Sequence, residues 1–200
     1  MKKVLISLFV VTSSINASLL QNKQVSIGFD FGTSGVRCCC IDKRENIVHE
    51  DAILWSNLNS LERSASSPVS WTAGLYALMD KVPKSVKDDT KRVCISGTSG
   101  SALVFDNERL EISRDPRMYD YNVVSSTDFG QDVMIRLASV CPKGSPANAP
   151  TSPLAKLLCW NREAPLSTHE KLAHQADFLA SELVFAADKP RNFKSDWVSC

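Results

Sequence analysis

Apolar and polar residues alternate from the start of the interpretable chain. Val25, Ile27, Phe29 and Phe31 are interleaved with Ser26, Gly28 and Asp30, the period-2 pattern of a strand with one buried face. Gly32-Thr33-Ser34-Gly35 supplies turn chemistry, and Val36 to Ile41 returns as a second β-rich run, so the stretch predicts a hairpin. Asn46 to Trp55 (NIVHEDAILW) reads as a third strand and completes an antiparallel meander. A polar loop from Ser56 to Ser67 follows, and Ser67-Pro68 opens a helix with an N-cap and a first-turn proline. Trp71, Leu75, Leu78, Met79 and Val82 share one face of that helix, and Pro83 closes it. Val93-Cys94-Ile95 predicts a short buried strand leading into Ser96-Gly97-Thr98-Ser99-Gly100-Ser101, and Ala102 to Phe105 a further strand turning at Asp106-Asn107.

The second half carries helical spacing. Phe129, Val133, Met134, Leu137 and Ala138 form one stripe. Pro142 to Ser152 has no periodicity and reads as a loop. Ser152-Pro153 opens a helix bearing Leu154, Leu157 and Leu158, while Leu172, Ala176, Leu179, Leu183 and Val184 mark a last one. Three meandering strands, a helix and then another strand define an α/β chain of ribonuclease-H-like order, a mixed sheet with an N-terminal antiparallel meander and flanking helices.

Composition adds limits. The 200 residues are 44% hydrophobic and 22% charged, an ordinary globular balance with room for one core. A net charge of +1 gives no electrostatic footprint for nucleic acid or an anionic membrane. There are seven cysteines, and Cys38, Cys39 and Cys40 are adjacent in a predicted strand. Alternation sends Cys39 to the face opposite Cys38 and Cys40, so they cannot close a tetrahedral metal site by themselves. Small buried hydrophobes in a reducing compartment is the reading that follows. The N-terminus argues differently. Lys2-Lys3, the apolar run Val4 to Val11 and then TSSINA have the layout of a secretory signal cut after Ala17. Residues 1–24 are therefore set apart as a leader or extension, and the run is too short to span a bilayer.

Two segments offer chemistry. At the hairpin tip the backbone N–H groups and the hydroxyls of Thr33 and Ser34 suit an anion, and Asp30 stands where a carboxylate beside phosphate oxygens would hold Mg²⁺ directly or through water. The alternative is a surface hairpin whose Asp and Thr only hydrogen-bond the turn. The Gly97–Ser101 loop reads either as a ligand loop at a sheet edge or as a glycine-rich turn linking two strands. A serine hydrolase fails here, because Ser101 occupies the place of the last glycine of a nucleophile elbow.

IGFDFGTSGVR resembles the first phosphate motif of the FGGY carbohydrate kinases, members of the actin/Hsp70/sugar-kinase superfamily. CISGTSGSALVFD (Cys94 to Asp106), MYDYN (Met118 to Asn122), HQADFLASEL (His174 to Leu183) and the Ser195-Asp196-Trp197 triplet agree in order. The set is most similar to the plant and cyanobacterial branch of D-ribulose and D-xylulose kinases. It covers Val25 to Cys200 and only that family's first lobe.

The resemblance implies ATP and Mg²⁺ as cofactors and small-molecule sugar and nucleotide as partners. It implies that Asp30 lies near the transferred phosphoryl and the sugar, with Thr33 and Ser34 on phosphate, and that Ser99 touches the sugar. Other members carry a Met-His pair where this chain has Ser99-Gly100, which argues against their sugar recognition. Tyr119 and Asp120 would flank the cleft, and His174, Gln175 and Asp177 would shape its floor, with Phe178 in place of tryptophan. No catalytic residue is assigned, since the family's general base lies in a GTTD- or GGGD-like loop beyond the position of Cys200. The implied activity is ATP-dependent phosphorylation of a pentulose, with this lobe inactive alone; the alternative is a non-catalytic sugar-binding or interaction module. The family implies a plastid or cytoplasmic location.

Overall fold

The computed structural model describes residues 24–60, 63–185 and 188–193. The leader, but for Gln24, and the Ser195-Asp196-Trp197 triplet lie outside the described residues.

The meander is present. β1 (Val25–Phe31), β2 (Gly35–Ile41) and β3 (Ile47–Leu54) pair antiparallel in sequence. The chain then crosses through α1 (Pro68–Lys81) and α2 (Lys84–Asp89) to β4 (Thr90–Ser96), which pairs parallel with β1. The resulting four-stranded mixed sheet has the order β3-β2-β1-β4. β5 (Ala102–Asp106) does not join it but is the central strand of a second sheet, flanked antiparallel by β6 (Glu111–Arg117) and β7 (Glu170–His174). Between β6 and β7 lie α3 (Val123–Ser126), α4 (Gly130–Val140) and α5 (Pro153–Glu163), and α6 (Gln175–Val184) follows β7.

One core joins both sheets. Val25, Ile27, Phe29 and Phe31 of β1 and Val36, Cys38 and Cys40 of β2 pack with Trp71, Leu75 and Leu78 of α1, Phe178 and Leu179 of α6, and Leu103, Phe105 and Ala173 of the second sheet. β5 is buried along its whole length because its opposite face, Ala102 and Val104, packs on Trp160 of α5. Ser67 caps α1 as its sequence suggests, accepting from the Ser70 N–H. Cys38 and Cys40 are buried, and desolvation pushes the Cys40 thiol up to about 11, so both behave as apolar packing groups.

Several elements depart from the expectation. β4 is not buried: Val93 is 42% exposed and Cys94 is exposed, β4 being the edge strand of the sheet. Leu172 belongs to β7, not to the last helix, which begins only at Gln175. The buried face of α5 is Ala155, Lys156, Cys159 and Trp160 rather than the leucine stripe, and Leu154 is exposed. Ala138 of α4 and Val184 of α6 likewise face solvent.

A half-buried ion pair secures the second sheet. Arg114 of β6 donates from Nε and Nη2 to the two oxygens of Glu170 on β7, at 2.8 and 3.0 Å. Its Nη1 donates to the carbonyls of Trp160 and Ala164 at the end of α5, where unpaired carbonyls favour a cation. The guanidinium holds the Glu170 carboxyl down at about 2. A carboxylate whose folded value lies below its unfolded value contributes stability at higher pH and loses it on acidification. Denaturation midpoints are therefore expected to stay level above pH 4.5, the ordinary value, and to fall between there and about 2. Glu170→Gln should lower stability at neutral pH and flatten that acid limb. A second expectation concerns Gly35, where an added Cβ would stand 2.2 Å from the Ile53 carbonyl oxygen and 2.9 Å from Leu54 Cα, both backbone. Gly35→Ala should cost about 1–3 kcal/mol in chemical denaturation, because the β2–β3 pair must shift to admit it.

Candidate functional site

The parallel register of β1 with β4 sets Asp30 beside Ser96. Both strands run the same way, so the Gly32–Ser34 turn and the Gly97–Ser101 loop leave the sheet at the same end. In mixed α/β sheets the carboxyl ends of parallel strands are where ligands gather.

The hairpin tip is pinned from behind and open in front. Gly32 N–H donates to the Gly35 carbonyl at 2.9 Å, closing the turn. Trp55, itself buried, donates its indole N–H to the Gly32 carbonyl and its backbone N–H to the Ser34 carbonyl, each at 3.1 Å. Thr33 and Ser34 are exposed, and among the described residues their N–H groups and hydroxyls make no hydrogen bond. Asp30 points outward, its side chain 56% exposed, and accepts from Arg37 Nη1 at 3.1 Å across the β1–β2 pair. An exposed pair of this kind adds little stability, about 0–1 kcal/mol, and leaves the second carboxylate oxygen available. The donors present thus fit phosphate oxygens. One unused carboxylate oxygen fits a Mg²⁺ that keeps most of its ligands as water and phosphate. Among the described residues no group of three or more His, Cys, Asp or Glu could hold a metal ion.

The second loop is built by hydroxyls and an amide. Gln175, buried at the start of α6, accepts at Oε1 from both the N–H and the hydroxyl of Thr98, each at 2.8 Å. Gly97 permits this approach, since a Cβ there would lie 2.9 Å from the same oxygen. Ser101, fully buried, donates its hydroxyl to Thr98 Oγ1 and accepts from the Tyr119 N–H, both at 3.0 Å, and its carbonyl accepts from the Gln175 N–H. Gly100 adopts φ +80°, a conformation that favours glycine. Thr98 and Ser101 are thereby committed to structure. Ser99 remains exposed, and with Gly100, Tyr119 and residues 146, 147, 149 and 151–154 it lines a cavity of about 170 Å³.

Asp30 opens on a different hollow of about 540 Å³ on the outer face of the meander, with Gly28, Arg37, Cys39 and Glu50. Asp30 and Ser99 thus line two different hollows. Asp177 accepts from the His174 N–H at 3.2 Å and caps α6, while Gln175 reaches the loop directly. Sequence reasoning passed over Lys156, whose ammonium donates to the carbonyls of Gly100 at 2.6 Å and Met118 at 2.7 Å. A lysine on the inner side of a helix was the only signal, and the leucine stripe placed it on the wrong face.

No family model matches the sequence. Among solved structures the chain is similar to xylulose kinase from Lactobacillus acidophilus in its ligand-bound form (16% identity, TM-score 0.53, 80% of this chain and 33% of that one). It is also similar to xylulose kinase from Bifidobacterium adolescentis (14%, TM-score 0.54, 80% and 34%). A third is glycerol kinase from Plasmodium falciparum with ADP (14%, TM-score 0.52, 78% and 33%). The chain spans about a third of the length of each. At these identities the likeness is one of fold: the chain has a mixed α/β fold, a mixed sheet with flanking helices, similar to the matching part of these kinases.

Proposed function

We propose that residues 25–200 are the first lobe of a carbohydrate kinase that phosphorylates a pentulose, D-ribulose or D-xylulose, from MgATP. The observation that carries the reading is the pair of glycine turns emerging at one end of the parallel β1–β4 pair, one bearing free N–H groups beside a carboxylate and the other a free hydroxyl beside a cavity. Phosphoryl transfer needs positioning and charge neutralisation more than covalent chemistry from the protein, and these are the roles such turns fill. Thr33 and Ser34 would bind phosphate oxygens. Asp30 would hold the hydrated Mg²⁺ that offsets the charge of the transferred group. Ser99 would orient the sugar through its hydroxyl, and the Ser99-Gly100 pair, in place of Met-His, would set the sugar preference.

The fold likeness supports this reading, as do the ordered sequence motifs. Transfer also requires a group to accept the proton of the attacking hydroxyl, worth about 10²–10⁴-fold. Asp30, tied to Arg37 and committed to metal, is not that group, so the lobe by itself is expected to bind without turning over. The separate hollows at Asp30 and Ser99 favour, as the second reading, a sugar-binding module with no phosphate role.

Isothermal titration of the chain with D-ribulose, with and without MgATP, separates the two. Nucleotide binding that is lost in Asp30→Asn supports the kinase lobe, and sugar binding indifferent to nucleotide and to Asp30 supports the module. Ser99→Ala should weaken pentulose binding by about 1–3 kcal/mol, the loss of one buried hydrogen bond. An unchanged dissociation constant would return Ser99 to a structural turn.

A further inference from the structure

Lys156 is the most unusual side chain near the site. It is fully buried, 0% exposed, on the inner face of α5, where an ammonium is expensive unless every proton finds a partner. Its two short hydrogen bonds run to irregular backbone. The Gly100 carbonyl belongs to the loop between β4 and β5, and the Met118 carbonyl, which also accepts from the Tyr121 N–H, follows β6. These segments are otherwise joined at this point by the Tyr119 N–H to Ser101 Oγ bond. The neighbouring residues on them, Ser99 and Tyr119, both line the 170 Å³ cavity.

We infer that Lys156 is a positioning residue: by holding the Gly100 and Met118 carbonyls on one nitrogen, it sets Ser99 and Tyr119 as two walls of a single subsite for a small polyhydroxylated ligand. The nature of the ligand rests on the sugar-binding reading; the clamp itself does not. Two charged groups face the ammonium. Asp120, beyond β6, attracts it, while Arg117 of β6 repels it. Desolvation dominates and brings its pKa down to about 8. A neutral amine keeps only two N–H donors and loses the charge that shortens these bonds, so the clamp slackens above that pH without opening.

The clamp is testable without ligand. In ¹⁵N-labelled wild-type chain the amides of Ser101 and Tyr119, which share peptide units with the two clamped carbonyls, should follow one common titration with a midpoint near 8. Amides of α1 should not. Lys156→Met should abolish that shared titration and weaken pentulose binding about tenfold or more, about 1.4 kcal/mol. Pentulose binding unchanged in a folded Lys156→Met would overturn the inference. If Lys156→Met does not fold, Lys156→Gln, which removes the charge and shortens the side chain, decides in its place, and unchanged pentulose binding there would equally overturn the inference. A shared titration in a chain that binds no pentulose would sustain the clamp and remove the sugar reading instead.

Discussion

The parallel pairing of β1 with β4 is the constraint on which the rest of the arrangement depends. Register, once set by the buried Val25, Ile27, Phe29 and Phe31, puts Asp30 level with Ser96. A slip of one residue would send those side chains to solvent, so the hydrophobic face of β1 also fixes where the two turns emerge. The hairpin meander is rigid behind its tip for the same reason: Trp55 is part of the core and holds the tip carbonyls as it packs against Phe31, their rings 6.3 Å apart.

The two turns are held in different ways. The first is short and braced by strand pairing, which leaves its outward N–H groups unused. The second is longer, carries a glycine at positive φ, and is tied down by Gln175 of α6, Lys156 of α5 and the Tyr119 N–H beyond β6, from three separate segments. Buried polar networks of this type are costly if incomplete and rigid when satisfied. Here the network uses the hydroxyls of Thr98 and Ser101 and spares Ser99. The chemistry available at the loop is thus decided by which hydroxyls the scaffold consumes.

Placement of that network depends in turn on the second sheet. Arg114 and Glu170 link β6, β7 and the end of α5, and Arg117 lies between the rings of Tyr121 and Trp160 at 4.6 and 4.7 Å. These contacts position α5, which carries Lys156, and β7, which delivers Gln175. The site end of the molecule therefore rests on ionic and cation–π contacts as much as on apolar packing, and its geometry should be more sensitive to acid than the β1–β2–α1 core.

The meander, α1 and the two glycine turns were legible in the residues alone, because their burial alternates or recurs with the period of a single element. Val25 to Ile41 could hardly have been read otherwise. β6 and β7 were not legible: Glu111–Arg117 and Glu170–His174 are rich in charge, and their strand pairing is chosen by β5, not by any apolar pattern of their own. The orientation of α5 was misread for a related reason, since its buried lysine is tolerated only through carbonyls 38 and 56 residues away in the chain. Local period reveals which residues want to be buried. Only the folded chain decides which polar groups can be satisfied there, because their partners come from distant segments.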